Sequence, residues 1–175
     1  SVRPREVIVV DDGSTDGSAE IVERMIADQP HVRLVRQVNA GVSAARNRAI
    51  EMAQSEWVAL LDGDDLWSPD YLKAVQQMIE RWPECGAIGT GFFVEDRFRR
   101  IVGATPEKTG KVDFFEESMH RYVLIPSATT LRRDLVLRLG GFPEGMRMGE
   151  DQYLWTLLAR REKIAFSPAS EVIYS

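Results

Sequence analysis

Short apolar runs alternate with helix-spaced segments through the first half of the chain. Val7-Ile8-Val9-Val10 is a β-branched run that stops at Asp11-Asp12-Gly13-Ser14, which predicts a buried strand ending in a polar turn. Ile21, Val22, Met25 and Ile26 recur at helical spacing and predict an apolar helix face, closed before Pro30. Val32 to Val35 reads as a second strand, Asn39-Ala40-Gly41 as a turn, and Ser43 to Ala53 as a helix with Ala45, Ala49 and Met52 inward. Trp57-Val58-Ala59-Leu60-Leu61 is another apolar strand that runs straight into Asp62-Gly63-Asp64-Asp65. Ser68-Pro69 supplies an N-cap and a first-turn proline for a helix to about Arg81, and Ala87 to Val94 reads as a strand. This alternation predicts an α/β fold, a mostly parallel sheet with helices on both faces.

The second half is less regular. Asp113-Phe114-Phe115-Glu116 has the pattern of a helix N-terminus. Pro126 to Leu131 reads as a strand, Asp134 to Leu139 as a short helix closed by Gly140-Gly141, and Glu150 to Arg161 as an amphipathic helix with Leu154, Leu157 and Leu158 inward. Ile164 to Phe166 and Val172 to Tyr174 read as two closing strands, and Gly103 to Gly110 as a loop.

Composition narrows the class. The chain has 175 residues, 44% of them hydrophobic and 28% charged, which suits one globular domain and excludes a disordered one. Twenty-two basic against 27 acidic residues give a net charge of −5, which argues against a nucleic-acid partner. The single cysteine, Cys85, permits a reducing, cytoplasmic setting. No apolar run approaches the roughly 20 residues of a membrane span, and no secretory leader opens the chain.

Three acidic groups carry candidate chemistry: Asp11-Asp12, Asp62/Asp64/Asp65 and Glu150-Asp151. The first two follow apolar strands, and in open parallel sheets ligands bind at the strands' carboxyl ends. Carboxylates collected on one rim call for a hard cation, Mg²⁺, Ca²⁺ or Mn²⁺, and a magnesium-type ion typically takes one or two carboxylates and completes its shell with water and phosphate. A phosphate-bearing ligand is the matching partner. Turn chemistry is the plainer reading of Asp11-Asp12, and first-turn placement at a helix dipole the plainer reading of Glu150-Asp151. Arg46 and Arg48 follow the Gly41 turn, as pyrophosphate contacts or as solvated helix charges. Trp67 and Trp155 each lie just after an acidic group.

Taken in order, these segments resemble the family 2 glycosyltransferases of GT-A fold. The resemblance is carried by Val9 to Ser18, by Asn39-Ala-Gly-Val-Ser-Ala-Ala-Arg46-Asn47, by Leu61-Asp62-Gly63-Asp64-Asp65, and by Gly140-Gly141-Phe142 with Gly149-Glu150-Asp151-Gln152-Tyr153-Leu154-Trp155. It implies a Rossmann-like domain over 1–175, with a nucleotide-binding part to about residue 95, an acceptor-side part from 96, and a family first strand that would precede this start in a longer chain. It implies nucleotide contacts from Asp12, Asp11, Arg46 and Asp64, with Asp12 on the base. It further implies a divalent metal, Mg²⁺ or Mn²⁺, at Asp62, Asp64 and Asp65, and Asp151 as general base supported by Glu150. The implied donor is a UDP-linked sugar, and the acceptor a carbohydrate or lipid-linked hydroxyl in cell-envelope polysaccharide synthesis. The implied location is the cytoplasm, at most peripheral to the membrane. One base and one metal suffice for direct displacement with inversion.

Rival classes explain less. A receiver domain also places acidic residues after early strands, but it needs a lysine after its last strand and leaves Glu150-Asp151 unused. A haloacid-dehalogenase-like phosphatase wants Thr or Val where Leu66 stands. A sugar-nucleotide-binding module without activity stays open at this stage.

Overall fold

A computed structural model describes residues 2–95 and 100–175. Val7–Asp11 (β1), Ser18–Ile26 (α1), Val32–Arg36 (β2) and Val42–Met52 (α2) form the first layer, with β1 and β2 paired in parallel from Val7↔Val32 to Asp11↔Arg36. α1 turns Ala19, Val22 and Ile26 towards this two-stranded sheet, and leaves Ile21 and Met25 exposed. The expected face is therefore narrower than the sequence suggests. One helix on a two-stranded sheet buries one stripe, and residues one position apart lie about 100° away around the helix.

Trp57–Ala59 (β3), Leu66–Trp67 (β4), Tyr71–Arg81 (α3), Cys85–Glu95 (β5), Arg100–Val102 (β6), Gly110–Val112 (β7), Phe114–Ser118 (α4), Thr129–Arg132 (β8), Arg133–Leu139 (α5), Glu150–Ala159 (α6) and Lys163–Tyr174 (β9) complete the described elements, with a 3₁₀ turn at Pro126–Ala128. Seven of the strands make one sheet with the path β3-β8-β5-β9-β4, to which β6 adds on β5 and β7 on β9. Only β5 and β9 pair in parallel; the other ladders of this sheet are antiparallel. The expectation of a mostly parallel sheet is thus corrected to a mixed one. The reason lies after β5: a parallel neighbour needs a crossover of a dozen or more residues, usually helical. The chain between β5 and β9 runs through α4, α5 and α6 and exceeds that length, whereas the short connection after β5 returns it antiparallel as β6.

Several local expectations shift in register. α3 begins at Tyr71, and Ser68, instead of capping by itself, places its Oγ against Glu171. Pro126–Leu131 divides into the 3₁₀ turn and β8. The two closing strands are one strand, β9, whose register against β5 shifts near Ser170. Asp113 caps α4 as expected, accepting from the N–H groups of Phe115 and Glu116. The expected change of part at residue 96 falls outside the described residues.

The main core gathers Ile50, Leu131, Val136, Phe142, Leu154, Trp155, Leu158, Ile164 and Phe166. α6 contributes Leu154, Trp155 and Leu158, all fully buried, while Leu157 is half-buried. Trp155 is therefore a core residue; truncation at such a site costs about 3–5 kcal/mol. This packing leaves the first turn of α6 at the surface with Glu150 and Asp151.

Candidate active site

The Asp11-Asp12 turn divides its two carboxylates between two jobs. Asp11 Oδ1 accepts from its own loop at Ser14 N (3.2 Å), and Oδ2 lies 3.8 Å from Arg36, which is turn chemistry. Asp12 reaches across to the segment before α2, accepting from Gln37 Nε2 (2.7 Å), Ala40 N (2.9 Å) and Gly41 N (2.8 Å). Asn39 Nδ2 donates to the Asp12 carbonyl at 2.9 Å. Burial raises the Asp12 carboxyl, but the three N–H donors outweigh it and hold the group below the ordinary aspartate value. A carboxylate offers about four acceptor positions. Three are used here, so one remains.

Arg46, one turn into α2, joins two regions distant in sequence. Its Nε and NH2 groups form a fork on Asp62 at 3.3 and 2.7 Å, and NH1 reaches Glu150 Oε1 at 3.2 Å. Its guanidinium carbon lies 5.2 Å over the Phe142 ring. The planar fork suits two carboxylates at once, a task the compact lysine ammonium cannot perform in the same way. Arg48, by contrast, is exposed, as a solvated helix charge.

Asn47 fastens the same helix to the segment before α6. Its Nδ2 donates to Phe142 O (2.8 Å) and its Oδ1 accepts from Phe142 N (2.8 Å). Gly141 (φ +71°) passes so close that a side-chain methyl there would overlap Asn47 Oδ1. Arg133 adds bonds from Nε to Ile50 O (2.8 Å) and from NH2 to Glu51 O (2.7 Å), closing the C-terminal end of α2.

The acidic triplet is not one cluster of equals. Asp62 is held by Arg46, and its N–H donates to Ser127 Oγ at 2.9 Å. Trp67 donates from Nε1 to Ser127 O (2.7 Å) and stacks on the buried Tyr71 at 4.2 Å, so Trp67 supports the turn that holds Asp62. Asp64 is exposed. Asp65 is buried; its Oδ1 accepts from Ser175 N (2.9 Å), while its Oδ2 is buried without a partner. Among the described residues no three His, Cys, Asp or Glu side chains converge into a cage. The donor set is therefore one open carboxylate and one orphaned oxygen. That fits a divalent ion of the magnesium type, which takes one or two carboxylates and relies on phosphate oxygens for the rest.

Asp151 is half-buried in the first turn of α6, and among the described residues its carboxylate accepts only from its neighbour, Gln152 N, at 2.7 Å. Gln152 lines a cavity of about 410 Å³ with Phe114, Tyr122 and Leu124. A second cavity, of about 440 Å³, lies away from these carboxylates, between α3 and the irregular stretch of β9. Tyr174 stands near both acidic groups: burial raises its hydroxyl pKa, and Asp65, Asp62, Asp64 and Asp151 raise it further.

The structure thus brings together Arg46, Asp62 and Glu150, and ties Asp65 to the backbone just after Tyr174. Sequence reasoning missed Gln37, Ser127, Phe142 and Tyr174 as site residues. Two of them had a usable signal: Phe142 stands in the Gly140-Gly141-Phe142 motif, and Tyr174 ends an apolar strand.

Residues 2–140 match the family model of Glycosyl transferase family 2, and the chain belongs to that family. Among curated relatives, TuaG of Bacillus subtilis, whose name assigns it to teichuronic acid biosynthesis, is 42% identical over 90 residues, half of this chain and 34% of TuaG. Among solved structures, Staphylococcus aureus TarS in complex with UDP-GlcNAc superposes with a TM-score of 0.82 at 23% identity, over 97% of this chain and 49% of that one. The mannosyltransferase PcManGT of Pyrobaculum calidifontis, in complex with GDP-Man and Mn²⁺, gives 0.67 at 24% identity, over 98% of this chain and 48% of that one. At these identities the two structures show the fold. The chain spans about half or less of the length of the curated relatives it matches. No helix among the described residues is long and apolar enough to cross a membrane.

Proposed function

We propose that this chain is the donor-binding and catalytic part of an inverting glycosyltransferase. It takes a nucleotide-diphosphate sugar, preferentially UDP-linked, and passes the sugar to a hydroxyl of a carbohydrate or lipid-linked acceptor in cell-envelope polysaccharide synthesis. The observation that carries the reading is the Arg46 bridge, because it joins the turn after β3 to the start of α6. Donor-side and acceptor-side carboxylates then share one cleft, as a transfer reaction requires.

In this reading each residue has a role that its surroundings support. The remaining acceptor position on Asp12 suits the ring N–H of a uracil; guanine carries a comparable ring N–H, and adenine does not. Asp64 and Asp65 Oδ2 would hold the divalent ion, which when bound neutralises the diphosphate leaving group. Asp62 keeps the turn in place through Arg46 and Ser127. Asp151 accepts the proton of the attacking hydroxyl, and Glu150, fixed by Arg46, sets the first turn of α6 from which Asp151 projects. The cavity lined by Gln152, the next residue along α6, is the acceptor's place in this reading.

The test is turnover of UDP-GlcNAc, UDP-glucose, UDP-galactose and GDP-mannose with Mn²⁺, read as released nucleoside diphosphate with and without added acceptor glycans. Release from at least one donor is expected. Tight binding with no release under any condition would instead assign a sugar-nucleotide-binding module, and preference for an adenine nucleotide would remove the family chemistry altogether.

A further inference from the structure

We infer that Tyr174 is a positioning residue for the transferred sugar, offering its phenol as a neutral hydrogen-bond donor between the diphosphate-side carboxylates and Asp151. The inference rests on the glycosyltransferase reading and assigns to it a contact that none of the motif residues supplies. Tyr174 ends β9 and pairs in register with Val94 of β5. Two anchors fix it. The next backbone N–H, of Ser175, donates to Asp65 Oδ1 at 2.9 Å, and the ring meets the buried Phe92 edge-on, with centroids 6.2 Å apart and planes at 66°. The side chain is nevertheless 41% exposed, and its hydroxyl makes no hydrogen bond among the described residues.

The surroundings say what such a group meets. Asp65 is tied to the residue after Tyr174, and Phe92, on which the Tyr174 ring rests, also meets Tyr122 edge-on at 6.1 Å and 70°. Tyr122 lines the cavity that Gln152, the neighbour of Asp151, also lines. Burial and the charges of Asp65, Asp62, Asp64 and Asp151 push the phenol's pKa up. A lysine or arginine here would pair with those carboxylates and be withdrawn from substrate. A phenol stays uncharged and keeps its proton to donate. With the diphosphate at Asp64 and Asp65 and the attacking hydroxyl at Asp151, the group lying between them in a direct displacement is the sugar that moves. A sugar hydroxyl or ring oxygen is an acceptor that suits a phenol.

The experiment compares affinities by calorimetry with Mn²⁺ present, for UDP, UDP-glucose, UDP-GlcNAc and UDP-galactose, and for GDP with GDP-mannose, in wild type and Tyr174→Phe. The phenylalanine keeps the ring on Phe92. Wild type is expected to bind at least one nucleotide sugar more tightly than its parent diphosphate. Tyr174→Phe should reduce that advantage by about 3–10-fold, the size of one net hydrogen bond, with diphosphate affinity within about twofold of wild type. An unchanged advantage, no advantage in wild type, or an equal loss for sugar and diphosphate overturns the inference and leaves the family reading standing. Wild type that binds none of these nucleotides overturns the reading and the inference together.

Discussion

Arg46 and Glu150, 104 positions apart in the chain, meet at 3.2 Å while the same guanidinium grips Asp62. Arg46 and Glu150 side chains are only 11% and 15% exposed, so the pairing is screened little by water. Removing the cation would leave two part-buried carboxylates facing each other. Arg46→Ala is expected to destabilise the fold by about 3 kcal/mol, the scale for breaking a buried ion pair, and to lower the melting temperature by about 6–12 °C. Thermal unfolding measures this. Arg46→Ala combined with Glu150→Gln should recover part of the loss, whereas a melting point equal to wild type in Arg46→Ala would remove the bridge from the stability of the site.

Asp151 stands in the first turn of α6 without a side-chain partner among the described residues. Asp151→Asn is nearly isosteric but cannot take a proton. It should slow turnover by about 10²–10⁴-fold, the usual contribution of a positioned base, with UDP affinity nearly unchanged. Glu150→Gln should cost less, since its carbonyl oxygen still accepts from Arg46. Turnover close to wild type in Asp151→Asn would end its candidacy, and a matching loss of UDP binding would move it to the donor side.

The metal reading makes a separable prediction. UDP affinity should rise on adding Mn²⁺ or Mg²⁺ and fall back with EDTA, and Asp64→Ala should cancel the rise. Asp64 is exposed, so the variant should keep its melting temperature. Asp65→Asn should cancel it too, but with some loss of stability, because Asp65 also holds the Ser175 N–H. Calorimetry on the three proteins decides, and identical UDP affinity with and without metal would set the metal aside.

Asp12 carries a pH dependence whose sign follows from its donors. Its folded-state pKa is lowered, so its stabilisation is complete above the ordinary aspartate value of 3.8 and is lost as pH falls through the lower folded value. Asp12→Asn should be less stable than wild type at neutral pH, and the gap should close as pH drops below that range. Denaturant midpoints from pH 7 to pH 3 test this, and a gap constant across the series would mean that the carboxylate's charge is not what Gln37, Ala40 and Gly41 recognise.

Much of the fold was legible where a segment's own period decides its form. β1, α2 and α6 lie within a residue or two of where apolar spacing puts them, and α5 stops at Gly140, in the left-handed conformation (φ +88°) that closes helices at little cost. Strand direction was not legible, because β8 reads the same to its neighbours' side chains whichever way it runs. Exposure of Ile21 and Met25 was not legible either, since it depends on how narrow a sheet α1 meets. At the site, the chain's order shows the three acidic groups Asp11-Asp12, Asp62/Asp64/Asp65 and Glu150-Asp151, while the separate roles of their members come from the resemblance alone. Nothing local could show that Asp62 belongs to Arg46, or that Ser127 holds its backbone, for those partners are brought close only by β3 pairing with β8.

The double bond between Asn47 and Phe142, with Arg133 gripping the far end of α2, has a consequence for motion. A cleft between two parts of a chain often works as a pair of jaws, swinging about a flexible joint. Here the would-be joint is bolted at the middle and at the C-terminal end of one helix, and Gly141 leaves no slack beside the bolt. If the proposed transfer is right, its donor-side and acceptor-side walls should travel as one frame, with substrates entering and leaving by the adjustment of short surface turns.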